Sequence, residues 1–225
     1  LSRRPDLAAL VAMLVFGSFI NAFAMIGPVY ALRAELGRRL GGPNPTLELA
    51  LVFVVGLFLL PGLLLAAAGW ATRRQMGPAA ESPVAVISRF VYALVPLGFG
   101  MWLAHYSFHF FTGGLTIVPV LQSFGADSGL FRGTVQWGLG PVVPGEWLFP
   151  IEALFLYAGT FGSIITAVQI ARQFSAERPD LRAGALGIAA PWLVLILVLM
   201  IAGLAIMLQP MEMRGTFHAL SATGG

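Results

Sequence analysis

This chain has no cysteine and no lysine, and charged residues make up only 10% of it. The missing thiols exclude disulfides, thiolate zinc sites and a cysteine-ligated iron–sulfur cluster within the chain. All 13 basic side chains are arginines, nearly matched by 10 acidic ones, so the net charge of +3 gives no basic patch for nucleic acid. A soluble domain carries roughly 25% charged residues, and this chain falls far below that. Sequence signatures of autonomous catalysis are missing too. There is no Walker A loop, no dinucleotide-binding glycine fingerprint, no HExxH pair and no nucleophile elbow. Only three histidines are present, one fewer than the axial ligands of two haems require.

What is present is apolar surface. Hydrophobic residues make up 58% of the 225, and the mean hydropathy is +0.85. Apolar runs over about 7–32, 47–72, 90–112, 146–171 and 185–209 are each long enough to cross about 30 Å of hydrocarbon. In lipid every backbone N–H and C=O must be satisfied within the segment, so these spans are expected to be helices. The sequence therefore predicts an all-α polytopic membrane bundle, a single transmembrane domain over 1–225. Turn-forming stretches separate the spans: GGPNPT at 41–46, QMGPAAESP at 75–83 and ERPDLRAG at 177–184. Pro61, Pro96 and Pro191 fall inside spans and predict kinks or first-turn prolines. The apolar run after Arg3-Arg4 is too long for a signal peptide and reads as a true span, and Leu1 need not be the natural start.

Arginines set the expected orientation. Arg3, Arg4, Arg73, Arg74, Arg89, Arg172, Arg178 and Arg182 fall on one side; Arg33, Arg38, Arg39, Arg132 and Arg214 fall on the other. That bias places the N-terminus in the cytoplasm and the C-terminus in the periplasm of a bacterial inner membrane. The Arg33–Arg39 cluster works against it. Residues 115–145 carry little charge but many glycines, prolines and aliphatics. They read as an apolar lid on the outer membrane surface or re-entrant into the bundle.

The candidate chemistry sits in the third span. His105 and His109 are four residues apart and share one helix face. At about 1.5 Å per residue they lie roughly 12 and 6 Å below a helix end near Gly113. Ionisable groups inside a membrane are costly and mark functional sites. Two imidazoles one turn apart can chelate a metal or handle protons, but cannot flank one haem from opposite faces. Interhelical hydrogen bonding is the plainer alternative. Glu152, Glu48, Met211 and Met213 are expected at the same end. Imidazole with thioether suits copper, and imidazole with carboxylate suits a quinone head group. Asn21 and Gln169 are the remaining polar intramembrane candidates, and a single Asn such as Asn21 reads as interhelical glue. Gly98, Gly100, Gly159 and Gly162-Ser163 read as close-packing faces.

RRPDL at 3–7, VPLGFGMWLAHYSFHF at 95–110 and QPMEMRGTF at 209–217 together resemble the C-terminal membrane region of bacterial membrane-bound 4Fe-4S, polyferredoxin-like electron-transfer proteins. The likeness covers nearly the whole chain. It implies membrane electron transfer, with quinone or a neighbouring redox subunit as exchange partner. The cluster-binding cysteines are absent, so a 4Fe-4S cluster would lie on a missing segment or a partner chain. The expectation is a membrane subunit or anchor of an electron-transfer complex, non-catalytic by itself. Its quinone, haem or metal site would involve His105, His109 and Glu152. Alternatives are a copper-handling protein using His105, His109, Met211 and Met213, and a structural accessory subunit packed against other membrane subunits. A proton-coupled transporter ranks below these, since no inverted repeat is visible.

Overall fold

The computed structural model describes residues 4–77, 81–178 and 180–211. It is an all-helical bundle: α1 (Pro5–Phe23), α2 (Gly27–Arg39), α3 (Pro45–Met76), α4 (Pro83–Asp127), α5 (Gly145–Glu177) and α6 (Ala185–Met207). All but α2 are long and apolar enough to cross a membrane. Among the described residues the only extended pairing is one antiparallel bridge, Ile26 with Met211.

Proline and its neighbours mark the starts. Pro5, Pro28, Pro45 and Pro83 each occupy a first-turn position, where a missing N–H costs nothing. Asn44 and Ser82 cap two of these helices by accepting the N–H groups of Leu47 and Ala85. Gly77, at φ 82°, ends α3. Inside the spans, prolines disturb the ladder. Pro61 cannot donate to the carbonyl four residues back, and a π-helical turn at Val55–Leu59 lies just before it. Pro96 likewise follows a 3₁₀ turn at Val91–Leu94.

Two expected boundaries change. The run over 7–32 is not one span. It breaks at Ala24–Ile26, because Pro28 cannot continue the α1 ladder and Ile26 turns extended at ψ 147°. The Gly27 N–H is donated instead to the Pro210 carbonyl, stitching the end of α1 to the end of α6. The third span extends in both directions. As α4 it has 45 residues, about 67 Å at the helical rise. The first part of the 115–145 stretch is its continuation, beyond a break at Gly113–Gly114.

The bundle packs around α4 and α5, whose backbones meet through glycine. A Cβ on Gly100 would stand 2.5 Å from the Phe155 carbonyl oxygen. One on Gly159 would stand 2.6 Å from that of Pro96. Such close approach is how small residues bring membrane helices together without a hydrophobic driving force. The Ser163 hydroxyl accepts the Leu97 N–H across the same seam. Beyond it, Phe90 stacks between Phe174 and Trp192, with ring centroids 5.7 and 5.2 Å away. Thr72 of α3 donates to the Ile188 carbonyl of α6.

Candidate functional site at the histidine end

The glycine seam fixes which residues lie level with His105. Gly100 meets the turn from Phe155 to Gly159 on antiparallel α5. Five residues further out on α4 is His105; a similar distance along α5 is Glu152. At about 1.5 Å per residue both lie some 7 Å beyond the seam, at one level. His105 is 2% exposed and Glu152 3%. His105 Nδ1 and Glu152 Oε1 are buried with no hydrogen-bond partner among the described residues. Unpaired buried polar atoms are rare in native proteins and call for an explanation.

His109 sits one turn further out and is half-buried. Its ring meets that of His105 edge-on, with centroids 4.8 Å apart and planes at 87°. Nearby hydroxyls are already engaged: Ser107 donates to the Ala104 carbonyl, Thr112 to Phe108 and Thr160 to Leu156. These back-bonds leave the imidazoles and the carboxyl as the polar groups with capacity to spare.

The depth of this site differs from the sequence expectation. A Cβ on Gly98 would touch Val15 of α1, and one on Gly203 would touch Met101. Counting outward along these parallel helices, α1 and α6 end level with Tyr106 and His105. The pair therefore lies level with the outer ends of α1 and α6, while α3 and α5 run on beyond it. The distance below Gly113 misled because α4 overshoots α1 and α6.

Other expected members scatter. Glu48 belongs to a separate corner between α2 and α3. There it lies 3.8 Å from Arg33, accepts the Asn44 N–H at 3.0 Å, and helps line a cavity with Tyr30 and Arg38. Met211 is half-buried against the core and held by its bridge to Ile26. Met207, unremarked in the sequence, is buried level with His105. Met213 lies outside the described residues. Among the described residues no three His, Asp or Glu side chains converge as a metal-binding group. Asn21 and Gln169 face outward, so neither acts as interhelical glue.

Two features escaped the sequence reading. One is an apolar groove of about 890 Å³ between α1, α3 and α6, roofed by Leu32 and Leu36 of α2. It ends at Gln209 and is lined by neither histidine nor by Glu152. The other is an ion cluster at the opposite end. Buried Arg89 donates to Glu177 at 2.8 Å and Glu81 at 3.3 Å, and lies over the Phe174 ring at 4.3 Å. The only hint was an arginine opening an apolar run with glutamates near both joints.

Comparison with known protein families, with curated proteins and with solved structures returned no match.

Proposed function

We propose that this chain is a membrane subunit or anchor of an electron-transfer complex, with His105 and Glu152 handling the protons of a quinone head group. The carrying observation is the pair of unpartnered buried atoms, His105 Nδ1 and Glu152 Oε1, which lie at one level along α4 and α5. Each residue can hold or release a proton. Their position level with the outer ends of α1 and α6 suits a substrate that travels in lipid and exchanges protons with water. In this reading a redox partner supplies two electrons. His105 and Glu152 each pass one proton to a quinone oxygen, and both recover them from the aqueous side through half-buried His109. The arginine bias favours a cytoplasmic N-terminus in a bacterial inner membrane.

Haem fits the geometry poorly. Both imidazoles come from one face of one helix, whereas two axial ligands must approach from opposite sides. Copper would have the two imidazoles with at most a thioether from Met207 or Met211, and among the described residues no carboxylate completes a three-residue metal-binding group with them.

Purification in native lipid, followed by solvent extraction and quinone assay, tests the reading. Wild type is expected to retain quinone in stoichiometric amount; His105→Ala and Glu152→Gln are expected to lose most of it while still folding. Retained copper that vanishes in His105→Ala would replace this reading with the metal-handling one. No quinone and no metal in a chain held by other subunits would leave a structural accessory role.

A further inference from the structure

The outer part of α4 is half covered and half bare. Beyond Gly113 the helix runs on through Ile117–Asp127, and the chain then returns along it. The return chain covers one face. Gln122 accepts the Gln136 N–H at 2.8 Å, a Cβ on Gly125 would touch Phe131, and Val142 donates to the Phe111 carbonyl at 2.8 Å. The opposite face carries Ile117, Val120, Leu121 and Phe124, at i, i+3, i+4 and i+7. These four are about half to two-thirds exposed, at 55, 49, 61 and 67%.

That bare stripe continues the lipid-facing side of the same helix. Trp102, Tyr106 and Phe110 are exposed on α4, and steps of three or four residues lead from them through Gly113 to Ile117 and Phe124. Tryptophan and tyrosine favour the bilayer interface, and α1 and α6 end level with Tyr106. A straight α4 would carry Phe124 about 27 Å further out, with its apolar stripe in water. The helix is not regular there. Gly113 leaves the helical region at φ −121°, ψ −3°, and a 3₁₀ turn follows at Gly114–Thr116. A bend outward at this point would turn the lipid-facing side of α4 down onto the membrane.

We propose that Ile117–Asp127 is an interfacial helix that lies on the bilayer surface at the histidine end. Its apolar stripe enters the boundary between head groups and acyl chains. Residues 115–145 carry only Asp127 and Arg132 as charges. Attachment therefore rests on buried apolar area and does not require anionic lipid. The proposal stands apart from the quinone reading.

The absence of cysteine gives a clean background for the test. Single variants Leu121→Cys, Phe124→Cys and, on the exposed far side of the helix, Ala126→Cys carry an environment-sensitive fluorophore in nanodiscs of zwitterionic lipid. Labels at 121 and 124 are expected to be quenched several-fold more by nitroxide-bearing lipid than the label at 126, which an aqueous quencher reaches instead. Adding anionic lipid is expected to leave this pattern unchanged. Equal access of the aqueous quencher to all three sites would overturn the proposal. So would protection of 121 and 124 from both quenchers, the mark of a protein surface, such as a second copy, on the stripe.

Discussion

The two ends of the bundle bury ionisable groups to nearly the same extent and treat them differently. At the arginine end, Arg89 is 5% exposed and bonded to two carboxylates, with an aromatic face beneath it and only its Nε unmet. At the histidine end, His105 and Glu152 are as deep and have polar atoms left over. A buried charge whose partners are in place is a structural fastening; removing one member leaves the others stranded. A buried polar group without partners weakens the fold unless something else completes it. The contrast separates architecture from chemistry without any relative to consult.

Prying apart the seam that sets the register between the ends is expected to have the largest effect. Gly159→Leu drives a side chain into the Pro96 carbonyl and should cost more than about 3 kcal/mol. It should also separate His105 from Glu152, so thermal unfolding and quinone retention should fall together. A Gly159→Leu protein with wild-type unfolding would contradict the packing described here. Next is Arg89→Ala, expected to cost about 3 kcal/mol. That is the low end for a broken buried pair, because Glu177 is half exposed and can turn to water. Denaturant or thermal titration in detergent reads the loss, and Glu177→Gln alone should cost under about 1 kcal/mol.

At the histidine end the sign reverses. Glu152→Leu replaces an unpartnered buried carboxyl with a hydrocarbon and is expected to raise stability by about 1 kcal/mol. Quinone retention should be lost at the same time. A Glu152→Leu protein clearly less stable than wild type would mean that the carboxyl has a partner, and the contrast between the ends would dissolve. The smallest effect is expected for Thr72→Val, which removes one 3.3 Å bond to the Ile188 carbonyl. About 0.6 kcal/mol is typical for such a bond between membrane helices, measurable as a small shift in unfolding midpoint.

Much of the fold was legible because lipid imposes so strong a rule on the backbone. Long apolar runs named five spans, and the GGPNPT and QMGPAAESP joints closed them where helices stop. The error at Phe23–Gly27 has a physical cause. Hydropathy continues smoothly through 24–26, and Pro28 was the only mark of the break. The helical run at 117–127 was hidden by Gly113, Gly114 and Pro119, which together read as a loop. His105 and His109 stood out by spacing alone. Glu152 was expected at the same end by counting along its span; the contact that sets its register, Gly100 with Gly159, ties residues nearly sixty positions apart and was not legible. Glu48 was placed with the histidines by counting along its span, but Arg33, six residues past the α1–α2 break, holds it at another corner.

The break at Gly113 also has a mechanical meaning. Below it α4 is clamped on several sides; above it the helix is braced by its own return chain. Torque applied to the helical part of the arm is absorbed at the two glycines, as at a universal joint. The return chain has a different anchorage, because the Val142 N–H holds the Phe111 carbonyl below the joint. Tension along 130–144 bypasses the glycines through that one tether and is delivered two residues from His109.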